Sequence, residues 1–182
     1  MKKVFILNGV GTSGKGAFAE FVGKYIPTRK YSIVDLPKEA AIILGWNGGK
    51  TEKDRRFLSD LMDLATEYND SPYEDVKNLV EAFKNNSPEE VLIIDMRDPK
   101  DIARAVKDFE AETILIRNPG VAQIKSNHAD RDVENYKYDY IIENDGTLKQ
   151  LDNVAKFFVR EMICWANIKE AEKPIIITCS DY

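Results

Sequence analysis

The chain predicts a three-layer α/β fold, a mostly parallel five-stranded sheet flanked by helices. Two observations carry this. Short apolar runs alternate with stretches whose apolar residues recur at helical spacing, the pattern that a helix-covered parallel sheet produces. A glycine-rich turn joins the first run to the first such stretch. With 182 residues, of which 43% are apolar and 31% charged, the chain has the composition of one ordinary globular domain over residues 1–182.

Five runs read as strands: Val4 to Leu7, Tyr31 to Asp35, Val91 to Asp95, Thr113 to Ile116 and Tyr138 to Ile142. Phe18, Phe21, Val22 and Tyr25 recur at i, i+3, i+4 and i+7 and mark the first helix. Pro37, at the N1 position, and Gly45 bracket a short second helix, because proline tolerates a first turn and glycine a helix stop. Leu58, Leu61, Ala65 and Tyr68 stripe a third. Val76, Leu79, Val80 and Phe83 stripe a fourth, after the break at Asn69-Asp70-Ser71-Pro72. Ile102, Val106 and Phe109 mark a fifth. The last long helix carries Leu148, Leu151, Ala155, Phe158, Met162 and Trp165 on one face, opened by Thr147 and Gln150 as a capping box. Pro174 to Thr178 has strand character with no evident partner.

Charge and composition exclude several function classes. Acidic residues number 31 against 26 basic, a formal charge of −5, which supplies no field for a nucleic acid polymer or an anionic membrane. Two cysteines and one histidine argue against a disulfide scaffold, a Cys-based zinc site or a His-rich metal centre. The apolar run after Met1 is interrupted at Asn8 and by glycines up to Gly16, too early for a signal peptide, and no stretch approaches the ~20 apolar residues of a membrane span. The expected location is the cytoplasm.

The stretch Gly9-Val10-Gly11-Thr12-Ser13-Gly14-Lys15-Gly16, followed by Ala17, carries the chemistry. Glycines between a strand and a helix let backbone N–H groups converge on an anion at the positive end of the helix dipole. Gly9-x-Gly11-x-x-Gly14 fits a dinucleotide fingerprint, with Asp35 about 20 residues on as a ribose-binding acid. Gly9-x-x-x-x-Gly14-Lys15 fits the phosphate loop of nucleoside triphosphatases and kinases, and Lys15 favours that reading, since an ammonium there reaches β- and γ-phosphates. The hydroxyl that commonly follows the lysine and helps hold magnesium is missing, because Gly16 and Ala17 stand there; Thr12 or Ser13 could compensate, or magnesium could be held mostly through water.

Asp95 ends an apolar strand, so it either serves Mg2+ as a Walker-B acid or simply starts a turn. The polar segment 118–137, containing Lys125, His128 and Arg131, has the length of a lid, and Arg117 at its base with Arg131 within it are candidates to neutralise a transferring phosphoryl group. Arg55 and Arg56 open the third helix; Arg56 either reaches an acceptor phosphate or pairs with Asp60 four residues on.

Beyond the loop, the chain carries Asp35-Leu36-Pro37-Lys38-Glu39-Ala40, Ile94-Asp95-Met96-Arg97-Asp98-Pro99, Ile116-Arg117-Asn118-Pro119-Gly120, and the run from Tyr138 through Asn144-Asp145-Gly146-Thr147 to Leu148. In this order over residues 3–160 it resembles the phosphate-loop deoxynucleoside monophosphate kinases, related to adenylate kinase and dephospho-coenzyme A kinase. The resemblance implies a P-loop NTPase fold, transfer of the ATP γ-phosphoryl group to a nucleotide monophosphate, and use of Mg2+. It also implies that the helical insertion at 37–86 binds the acceptor, that Arg97 grips the acceptor α-phosphate, that Asp35 lies near the acceptor's sugar or phosphate, and that the adenine lies against 144–147. The alternatives for Arg97 and Asp35 are a salt bridge with Asp98 or Asp101 and a helix-start cap. A kinase for another small phosphoacceptor such as dephospho-coenzyme A, a dinucleotide-binding oxidoreductase and a nucleotide-binding protein without catalysis are the competing functions. Association with a second copy of the chain is left open.

Overall fold

A computed structural model describes residues 2–121, 133–164 and 174–182. The chain divides into two compact units, Met1–Lys30 with Ser87–Tyr182, and Tyr31–Asn86.

Six strands form one sheet: β1 (Lys3–Asn8), β2 (Thr28–Ser32), β3 (Val91–Asp95), β4 (Glu112–Arg117), β5 (Tyr140–Glu143) and β6 (Ile175–Thr178), in the order β2-β3-β1-β4-β5-β6. β1 lies parallel to both β3 and β4, β4 to β5, and β5 to β6. Strand β1 is central because both its faces are apolar: Val4 through Leu7 are at most 5% exposed. On one face Phe5 and Leu7 meet α1 (Lys15–Tyr25), through Phe18, Ala19 and Val22, and α6 (Leu148–Phe158), through Leu151, Val154 and Phe158. Phe158 sits edge-on to Phe5, Phe18 and Tyr140, at centroid distances of 5.4, 5.7 and 5.1 Å. Burying such a ring contributes about 2–3 kcal/mol, and its edge contacts add somewhat more. A further helix, α5 (Pro99–Phe109), buries Ile102, Ala105 and Phe109 and contacts β1 and β4. Asp98 caps it by accepting from the Lys100 N–H at 2.7 Å. This is a layered α/β arrangement, a parallel sheet flanked by helices.

The second unit holds α2 (Asp35–Ile43), α3 (Glu52–Asn69) and α4 (Ser71–Asn86), which contact one another. Gly45, at φ +95°, stops α2 as expected, with its N–H on the Ile42 carbonyl. Thr51 and Asp54 close a capping box on α3. No helix among the described residues is long and apolar enough to cross a membrane.

The structure corrects the sequence reading in several places. The sheet has six strands, not five: Ile175–Thr178 pairs in register with Tyr140–Glu143. Only tertiary placement could supply that partner. The second strand is Thr28–Ser32 and not Tyr31 to Asp35, because this edge strand, Thr-Arg-Lys-Tyr-Ser, buries no residue and lacks the apolar run that marks a central one. Asp35 therefore opens α2, and Pro37 is its third residue, where a missing N–H still costs nothing. The strand expected at Tyr138 starts at Tyr140. The stripe on α3 is no core face: none of its residues is buried, and Tyr68 is 84% exposed. Leu148 is likewise exposed at the start of α6. Arg131, Lys125, His128 and Trp165 lie outside the described residues.

Candidate functional site

The loop between β1 and α1 is held from several sides. Gly14, the N-cap of α1, takes φ +104°, and an added Cβ would stand 2.4 Å from the Asn144 amide nitrogen. That nitrogen donates to the Ser13 carbonyl at 2.8 Å, so Gly14 is needed both for its dihedral and for the close approach of Asn144. Gly9 takes φ +149°, and an added Cβ there would collide with the Ile116 carbonyl at 2.4 Å. Between them the Ser13 N–H bonds the Val10 carbonyl at 3.2 Å, closing a turn in which Thr12 adopts φ +65°. A β-branched residue in the left-handed region is strained, the kind of backbone that ligand sites retain.

Lys15 is 9% exposed, and its ammonium bonds the Gly9 carbonyl and, at 3.1 Å, the Val10 carbonyl. The aliphatic stem thus lies along the loop and the charge is fixed at the head of α1. The helix N-terminus has no side-chain cap and no acidic residue in its first turn, whereas α3, α5 and α6 are capped by Thr51, Asp98 and Thr147. Its orphan N–H groups and the positive end of its dipole therefore lack a side-chain cap, a setting that suits an anion. Added Cβ atoms at Gly11 and Gly16 would meet nothing within 4 Å, so space stands open at both.

Residues from both neighbouring strands flank this loop. Asp95 ends β3 opposite Leu7, and the Met96 N–H bonds the Leu7 carbonyl at 3.2 Å, so its carboxylate is carried at the sheet edge where β1 turns into the loop. Arg97 follows, half-buried, with its carbonyl accepting from Asn8 at 3.3 Å. Arg117 ends β4 on the other side. Its guanidinium makes two bonds to Glu134, at 3.0 and 2.5 Å, and one to Glu143 at 2.6 Å. The Glu134 carboxylate, followed by that of Glu143, raises the Arg117 pKa and keeps it charged. A cavity of about 320 Å3 adjoins the loop, lined by Val10, Ile116, Arg117, Asn118, Val133 and Glu134 among others.

The polyphosphate expected from the sequence motif fits this loop: an uncapped helix start, a fixed ammonium and open space coincide. For Mg2+, the residues offer a sparser set. Ser13 Oγ is buried with no hydrogen-bond partner among the described residues, Asp95 is the carboxylate beside the loop, and no cluster of three acidic, His or Cys ligands occurs among the described residues. That suits a cation that keeps most of its water and takes one carboxylate plus phosphate oxygens.

The sequence-predicted residues Gly9, Gly11, Thr12, Ser13, Gly14, Lys15, Gly16, Ala17, Asp95, Arg97 and Arg117 therefore lie together at the carboxyl edge of the sheet in one unit. Asp35 and Arg56 belong to the other unit. There Asp35 accepts from the Ser32 N–H at 2.9 Å and from Lys38 at 2.8 Å, and Arg56 is on an exposed face of α3, 3.8 Å from Asp60. Sequence reasoning missed Asn8, Tyr138, Glu134 and Glu143, and gave Asn144 no part in clamping the loop. Asn8 did carry a signal, a polar residue closing a run of four apolar ones.

No protein-family description matches the chain, and no curated protein does. Among solved structures, a shikimate kinase from Aquifex aeolicus VF5 is similar at 13% identity, over 88% of this chain and 98% of that one, with a TM-score of 0.49. A GTPase from Pyrococcus abyssi is similar at 8% identity, over 98% and 91%, with a TM-score of 0.47. A sugar kinase from Janibacter sp. HTCC2649 is similar at 10% identity, over 99% and 87%, with a TM-score of 0.41. These likenesses are weak; strand order and the loop of this chain define its fold.

Proposed function

We propose that the chain transfers the terminal phosphoryl group of ATP to a nucleoside or deoxynucleoside monophosphate. The observation that carries this reading is the Lys15 ammonium, pinned by the Gly9 and Val10 carbonyls at an uncapped helix start between two strand ends that bring Asp95 and Arg117.

In this reading the loop amides and Lys15 orient the β- and γ-phosphates. Lys15 gathers charge onto the bridging oxygen as its bond to the γ-phosphorus breaks and ADP leaves. An acceptor phosphate oxygen forms the new bond; being ionised near neutral pH, it needs no general base, and the burden falls on positioning and charge. Arg97 suits the acceptor phosphate through its planar fork. Arg117 suits the migrating phosphoryl group once its carboxylate partners yield to a stronger anion. Asp95 would hold Mg2+, which when bound offsets charge on the phosphate oxygens.

The dinucleotide alternative loses support. Its ribose-binding acid belongs at a strand end, and Asp35 instead begins a helix three residues past β2. The test is ADP production from ATP and Mg2+ across a panel of nucleoside monophosphates, deoxynucleoside monophosphates and dephospho-coenzyme A. Turnover with a monophosphate, lowered at least a hundredfold by Lys15→Met in a folded protein, is the expected result. ATP binding with no acceptor phosphorylated would leave a nucleotide-binding protein without catalysis.

A further inference from the structure

Asn8 is fully buried at the end of a strand whose four preceding residues are apolar. A buried amide is costly unless its bonding is complete, and here it is directional. The Gly9 N–H can only donate, so its partner at 2.7 Å is Asn8 Oδ1. Asn8 Nδ2 then donates to the Tyr138 hydroxyl at 2.8 Å and to the Arg97 carbonyl at 3.3 Å. Tyr138, 3% exposed, donates in turn to the Val133 carbonyl at 2.8 Å. Burial raises the Tyr138 pKa well above its ordinary value, so the hydroxyl remains a donor.

The chain of bonds continues at both ends. Gly9, oriented through its N–H, uses its carbonyl to hold the Lys15 ammonium. Val133 begins a 3-10 turn, Val133–Asn135, whose Glu134 grips Arg117. Filling space does not require a polar side chain here, but an apolar residue at position 8 would leave the buried Gly9 N–H without its partner at 2.7 Å. What the polar groups add is a fixed orientation for the Gly9 peptide.

We propose that Asn8 and Tyr138 are positioning residues for the donor phosphates, acting through Gly9 on the Lys15 ammonium and linking the phosphate loop to the turn that carries Glu134. This rests on the donor-site reading above. The linkage is reciprocal: a polyphosphate on the loop stiffens the 133–138 segment, and loss of the Tyr138 hydroxyl loosens the loop.

The test is calorimetric titration of the full chain with inorganic triphosphate at 20 °C, with hydrogen exchange across 133–138 in the free and bound protein. Tyr138→Phe, which removes one oxygen, should weaken binding about five- to tenfold, the worth of one hydrogen bond of ~1 kcal/mol. It should also abolish the ligand-induced protection of 133–138. Asn8→Ala should weaken binding at least as much, and the double variant should be no worse than Asn8→Ala alone, because both act along one chain. A purely structural role would lower Tm and leave the affinity of the folded protein and the exchange response unchanged, which overturns the proposal. If Asn8→Ala does not fold, Tyr138→Phe decides alone. Failure of the wild-type chain to bind triphosphate would remove the donor site itself, a result distinct from equal binding by wild type and Tyr138→Phe.

Discussion

Replacing Gly14 by alanine strikes the loop at its most constrained point, and the cost divides into two separable parts. The first is conformational: at φ +104° an alanine Cβ crowds its own backbone, for about 1–2 kcal/mol. The second is steric: the new methyl stands 2.4 Å from Asn144 Nδ2, which must withdraw and give up its 2.8 Å bond to the Ser13 carbonyl, for about 1 kcal/mol. The sum is about 2–3 kcal/mol, a fall in Tm of roughly 5–10 °C for a chain of this size. Asn144→Ala alone loses only the bond, about 1 kcal/mol. In the double variant the methyl next meets Leu151 Cδ2 at 3.6 Å, an ordinary contact, so the lost bond is counted once. The double variant should therefore fall short of additivity by about 1 kcal/mol. Urea unfolding of the four proteins measures this. A neutral Gly14→Ala, or strictly additive losses, would refute the account of Asn144 as the clamp on this loop.

Other consequences follow from the same geometry. Glu134→Gln weakens the carboxylate grip on Arg117, so triphosphate affinity should rise two- to fivefold; a tenfold loss would remove Arg117 from the phosphate-facing set. Stability should change by only about 0–1 kcal/mol, since both partners of this pair are more than a third exposed. Alkaline pH should destabilise the fold. Burial pushes the Cys179 thiol from 9.0 up to about 11 and, as the leading cause, raises the Tyr138 and Tyr140 hydroxyls too. The unfolded chain sheds these protons first, so above pH ~9 the native state binds more protons and stability falls as pH climbs, for Cys179 by on the order of 1–3 kcal/mol up to about pH 11. Cys179→Ala should flatten the dependence of urea midpoints on pH between 9 and 11; an unchanged slope would show that this thiol does not contribute.

Strand runs such as Val91–Asp95, the stripe of α1, the cap of α6 and the glycine loop are local features, each set by residues within about a dozen positions of one another, and they were legible in the chain before any coordinates. The loop's chemistry was legible for the same reason: the glycines, Lys15 and the following helix are contiguous. The placement of β6 beside β5, the edge position that made β2 polar, and the exposure of the α3 stripe depend on which surfaces meet, which a one-dimensional pattern leaves open. So do the bonds that hold the site. Asn8 to Tyr138 spans 130 positions and Asn144 to Ser13 spans 131, and no periodicity encodes a hydrogen bond between residues that far apart. The sequence by itself determined that a glycine-rich loop ending in Lys15 would join β1 to α1, the setting that an anion site requires. Only the tertiary structure decided which side chains hold that cradle open and which carboxylates occupy Arg117, because those partners become neighbours only when the parallel strands align their carboxyl ends.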